Sequence, residues 1–164
     1  MSGALRTRTR RRTDLSSYSD LLIDSGQLDE RFTPLLTAID DPALLVAIQW
    51  GGVQLGGIRE LNQPVRRPLA ELDWAVPDEI VFQVEAWGTT VIYPRRMIGP
   101  HELANDRITD GTGRPVPFGV SYCSLCRTAV AFDRRVDGRE LTFKTSGLLL
   151  DANKLMVDDQ TNSL

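Results

Sequence analysis

Residues 80–94, IVFQVEAWGTTVIYP, alternate apolar and polar side chains on both sides of Trp87-Gly88. A period of two turns one face of an extended chain to a core and the other to water. A two-residue break lets the arms fold back as an antiparallel hairpin. The pattern returns in AVAFDRRVDGRELTFKT, residues 129–145, around Asp137-Gly138, a pair suited to a turn with positive φ. PVPFGVSYC, residues 115–123, reads as a further strand, and GLLLDANKLMVDD gives a turn at 151–153 followed by another. PRRMIGPHELANDRITDG is mixed, with a short helix or loop expected around His101 to Asn105. The fold class that follows is α+β: an antiparallel β-rich domain over residues 57–164, opened by a proline-punctuated connector at 57–79.

Upstream the period changes. Phe32, Leu35, Leu36 and Ile39, then Leu44, Leu45 and Ile48, recur at helical spacing on either side of Asp41-Pro42, which reads as a helix start. Residues 20–56 are therefore expected to form a short helical hairpin resembling one HEAT-type unit. One such unit cannot bury its own face, so it must pack on the next domain or on a protein partner. Residues 1–19, with Arg6, Arg8, Arg10, Arg11 and Arg12, read as a disordered basic tail. Net charge is −3, which leaves no overall polycationic signature for nucleic acid. No apolar run reaches the roughly 18 residues of a membrane span, and no apolar stretch follows the arginines as an export signal requires. The chain as written is expected to be cytoplasmic. It ends on TNSL straight after a strand-like stretch, and the domain is expected to continue beyond it.

Both cysteines of the chain, Cys123 and Cys126, stand two residues apart after a strand. This spacing brings two sulfurs close enough to share one soft ion or one disulfide. With His101, the sole histidine, they make a Cys₂His set suited to zinc with an open position or to Cu(I), so copper or zinc is the expected cofactor. Iron–sulfur chemistry usually takes four cysteines. Glu102 or Asp106 could then orient the second ring nitrogen of His101, or act as a general base. The same residues also suit thiol–disulfide redox chemistry, with His101 and Arg127 lowering a thiol pKa. A third reading is a non-catalytic interaction module in which the cysteines only pack. Asp158 and Asp159 form a further acidic pair near the end.

YPRRMIGPHELAND, VSYCSLCRTAVAFDRRVDGRELTF and SGLLLDANKLMVDDQTNSL, in that order and spacing, resemble a prokaryotic family known as domain of unknown function 3179. The matching positions are Tyr93, Pro94, Arg96, His101, Glu102, Asn105, Asp106, Tyr122, Cys123, Cys126, Ser146, Gly147, Leu148, Asp158, Ser163 and Leu164. The resemblance covers about residues 57–164. It supplies no activity, but its motifs are the His-Glu-x-x-Asn-Asp stretch and the cysteine turn, both rich in chemical groups. The expected site is therefore Cys123, Cys126 and His101 as ligands, with Glu102, Asn105, Asp106, Tyr122 and Arg127 around them. The resemblance also implies that many relatives are exported or membrane-associated. Ser124 stands where the family usually has proline, Pro100 replaces an aromatic residue before the histidine, and Lys144 and Leu150 also depart from the common residues.

Overall fold

The computed structural model describes residues 30–33, 36, 39 and 41–164. The chain divides into two compact units, residues 1–46 and 47–164. Of the first, a 3₁₀ turn at Glu30–Phe32 and most of helix α1 (Pro42–Ala47) are described. Asp41 caps α1: its Oδ1 accepts the amide of Ala43 at 2.9 Å, and its carbonyl accepts the amide of Leu45 at 3.1 Å. The other half of the expected hairpin, like the basic tail, lies almost wholly outside the described residues. The expectation that the helical hairpin extends to residue 56 needs correction. Gln49–Trp50 is strand β1, drawn out of the helix by pairing with Leu149 and Leu148.

The second unit is β-rich and mostly antiparallel. One sheet has the order β1–β10–β11, where β10 is Phe143–Leu150 and β11 is Asn153–Asp158. A second has the order β2–β5–β6–β7, made of Leu61–Asn62, Leu103–Thr109, Pro115–Cys123 and Thr128–Asp133, with β2 parallel to β5. Strands β3 (Val81–Ala86) and β4 (Thr89–Pro94) form the first expected hairpin, and Trp87 and Gly88 both take positive φ in its turn. This ribbon lies on the four-stranded sheet. Val91 and Tyr93 pack with Ile98, Ala104, Phe118, Val120 and Tyr122 in the main core. Phe82 stacks on Tyr122 at 4.8 Å.

Two other expectations need correction. The hairpin at Asp137-Gly138 is real but its arms are two residues each, β8 (Arg135–Val136) and β9 (Arg139–Glu140). The long arms diverge because β7 pairs back to β6 while β10 joins the other sheet. Arg134 stands at the divergence, fully buried. Its guanidinium donates to the carbonyls of Phe118 and Asp106 at 3.0 and 3.1 Å, to that of Leu141, and to Glu140 Oε1 at 2.7 Å. The expected helix or loop at His101 to Asn105 is displaced too. Helix α2 is Arg95–Ile98, and Asn105 and Asp106 lie on β5. This strand is buried on both faces, so it lacks the alternation that marks a half-buried strand.

Asp158 closes the end of β11. Its carboxylate accepts the Thr161 amide at 2.8 Å, the Thr161 hydroxyl at 2.6 Å and the Gln160 amide at 3.2 Å. Burial raises its pKa, but these hydrogen bonds outweigh burial and hold it below the ordinary carboxylate value. The native state thus favours the ionised form. This stabilisation is complete above the unfolded pKa of about 3.9 and fades as pH falls through the lower native value. Asp158→Ala is expected to cost about 2 kcal/mol at neutral pH and less in acid, as read by urea titration at both pH values. An equal loss at both would assign the effect to packing. Among the described residues no helix is long and apolar enough to cross a membrane.

Candidate functional site

Strand β6 ends at Cys123, and the chain reverses through Ser124, Leu125 and Cys126 into β7. Arg127 takes a φ of +57° and donates its amide to the Cys123 carbonyl at 2.7 Å, closing the turn. Within it the Cys126 amide donates to Cys123 Sγ at 3.1 Å. The nearness of Cys123, burial and the Glu102 carboxylate push the Cys126 pKa up to about 11, against the pull of Lys154. Both thiols are free; Cys123 is buried and Cys126 half-buried. The amide directed at Cys123 Sγ makes that sulfur the hydrogen-bond acceptor within the turn.

Glu102 faces this turn. It leaves α2 at a φ of +58°, and its carbonyl accepts the Tyr122 amide at 2.8 Å, which fixes it beside the end of β6. Its carboxylate accepts the Ser124 hydroxyl on one oxygen and Lys154 Nζ on the other, the latter at 3.1 Å. Lys154 comes from β11 and is buried. It also donates to the Glu102 carbonyl at 3.0 Å and to Thr145 Oγ1 at 3.4 Å. Burial lowers its pKa, and the charges of Glu102, Cys123 and Cys126 pull it back up. Carboxylate, ammonium and two thiols therefore form one electrostatic group. A cavity of about 210 Å³ opens beside it. Glu102, Cys123, Thr145 and Lys154 line one part, and Val53, Ile58, Leu148 and Leu149 give the rest an apolar wall.

The other expected site residues lie elsewhere. His101 turns its ring away to bond the Arg59 carbonyl at 2.7 Å through Nδ1, which must carry the proton because a carbonyl can only accept. Among the described residues no three or more His, Cys, Asp and Glu side chains are arranged to hold a metal ion. Among those residues Cys123, Cys126 and His101 are not grouped as one metal-binding set. Asn105 clamps strands together: its amide nitrogen donates to Asn62 Oδ1 and to the Phe143 carbonyl, and its oxygen accepts the Phe143 amide at 3.0 Å. Asp106 accepts the Tyr93 hydroxyl at 2.5 Å and pairs with Arg66 at 2.8 Å. Tyr122 packs in the core, and the Arg127 side chain is exposed.

Sequence reasoning missed Lys154 and Thr145. The available signal was a lysine inside the apolar run ANKLMV, where a buried strand needs a partner for a charge.

Residues 56–164 match the family model described as Protein of unknown function (DUF3179). No curated protein and no solved structure matches the chain. The match spans well over half of the chain. The chain belongs to the DUF3179 family.

Proposed function

We propose that this protein is a thiol–disulfide redox protein in which Cys123 attacks and Cys126 resolves. The observation that carries the reading is the cysteine turn, in which the Cys126 amide donates to Cys123 Sγ, beside the buried Lys154 paired with Glu102. A positive charge next to a thiol favours its nucleophilic thiolate form. Cys123 attacks one sulfur of a substrate disulfide and expels the other as a thiolate, which takes up a proton. Cys126 then gives up its proton and attacks Cys123 Sγ, and the second substrate sulfur leaves as a thiol. Two electrons and two protons pass to the substrate, and Cys123 and Cys126 end joined.

The test is oxidation of the reduced protein across a series of glutathione redox buffers, with thiol counts and intact mass. Reversible formation of one internal disulfide is expected. Cys126→Ser is expected to trap a mixed disulfide on Cys123, and Cys123→Ser to trap little or none. Absence of the internal disulfide at every buffer ratio would sink the reading.

The adjacency of the two sulfurs also favours a second reading, Cu(I) held by the thiols alone, since soft thiolates select that ion. One Cu(I) per chain that protects both thiols from alkylation, undiminished in His101→Ala, would support it. Unreactive thiols with neither copper nor a disulfide would leave the pair a packing role.

A further inference from the structure

The thiol assigned to attack is the less accessible of the two. Cys123 is 2% exposed, and its accessible surroundings are the cavity wall. Thiol–disulfide exchange needs the attacked sulfur in contact with the thiolate and the departing sulfur beyond it. Both sulfurs of a substrate must therefore enter the cavity. A disulfide in a folded protein carries backbone on both sides, with Cα atoms about 5.5 Å apart. That backbone would have to follow its sulfurs down to a thiol that is itself only 2% exposed, past Ser124 and Leu125 in the cavity lining.

The cavity itself says what can. Its volume of about 210 Å³ is roughly seven times the share of one water molecule in liquid, about 30 Å³. This is room for a small ring and the first carbons of a chain. Val53, Ile58, Leu148 and Leu149 favour an apolar occupant, and Leu125, 69% exposed, extends the apolar surface at the turn. Lys154 is already engaged by Glu102 and Thr145, so it offers no free anchor for a strongly anionic substrate.

We infer that the substrate of this thiol pair is a small apolar disulfide that enters the cavity beside Cys123, rather than a disulfide of a folded protein. The inference rests on the redox reading above. The bond changes are those already given: both substrate sulfurs leave as thiols, and a cyclic disulfide leaves as one dithiol.

The experiment uses the full reduced chain with three oxidants at equal concentration: lipoamide, which is an uncharged five-membered cyclic disulfide, then oxidised glutathione, then insulin. Thiol loss and a two-hydrogen loss in mass follow the protein, and turbidity follows insulin. Lipoamide is expected to oxidise Cys123 and Cys126 at least tenfold faster than oxidised glutathione, with no insulin reduction. Ile58→Trp, which fills the cavity, is expected to remove that advantage. Leu125→Gln, at an exposed position that tolerates change, is expected to reduce it severalfold. Insulin reduced as fast as lipoamide, or oxidised glutathione matching lipoamide, would overturn the inference and leave the redox reading standing. Failure of all three oxidants to form the internal disulfide would overturn both.

Discussion

Gly147→Ala is expected to lower the thermal unfolding midpoint by roughly 10 °C, a loss of about 3 kcal/mol. Gly147 has a φ of +83°, where an L side chain is strained. A Cβ placed there would also meet the Val53 carbonyl oxygen at 1.8 Å. Backbone rather than a flexible side chain stands in the way, so segment 51–56 has to move. Its attachment is at stake. The Gly51 amide donates to the Gly147 carbonyl at 2.7 Å and the Gly56 amide to the Thr145 carbonyl at 2.9 Å. Gly138→Ala separates the two costs, because Gly138 has a φ of +75° with nothing within 4 Å of its Cβ. That variant is expected to lose about 1 kcal/mol from strain alone. Equal losses would mean that the close approach contributes nothing. Val53 and Gly147 both line the cavity, so Gly147→Ala is also expected to slow lipoamide more than oxidised glutathione.

The same glycine marks how far the sequence could be read. Ser146-Gly147-Leu148 stood out as a motif without a reason. The reason is a bulge in β10: pairing with β11 breaks between Thr145 and Leu149, the Ser146 hydroxyl donates to the Leu155 carbonyl at 2.6 Å and accepts the Leu148 amide, and Gly147 admits a neighbouring chain. Period-two alternation announced the β3–β4 hairpin because one face is core and the other solvent. It failed on β5, where Asn105 and Asp106 are buried and satisfied by Asn62, Phe143, Tyr93 and Arg66, groups up to 43 positions distant in sequence. Polar residues there resembled a site because both uses need hydrogen-bonding groups. The cysteine turn was legible because its spacing is local. Lys154 carried a local signal, but its partner did not: it reaches Glu102 across 52 positions, and the partner of a charge that far along the chain carries no mark in the sequence.

Lys154→Met is expected to slow thiol reactivity at pH 7–8 at least tenfold and to move its pH profile to higher values. Lys154 lowers the pKa of Cys126, while Glu102 and the charge on Cys123 raise it. Without the ammonium, the Glu102 carboxylate faces the thiols unopposed, and both changes disfavour a thiolate. Stability falls as well, by about 3 kcal/mol, because a poorly solvated carboxylate has lost its counter-ion and keeps Ser124 alone. The double variant Lys154→Met, Glu102→Gln tells the cause apart from simple loss of packing. With both charges gone, stability is expected to recover most of the loss, and thiol reactivity to rise above that of the single variant without regaining the parent rate. Lys144→Met is the surface control, since Lys144 pairs with the exposed Asp159, and it is expected to leave the thiols unchanged. Iodoacetamide alkylation against pH and urea unfolding of the four proteins supply the measurement. If the double variant is as unreactive and as unstable as the single one, Lys154 acts through its shape, and an electrostatic role for it at the thiols has to be abandoned.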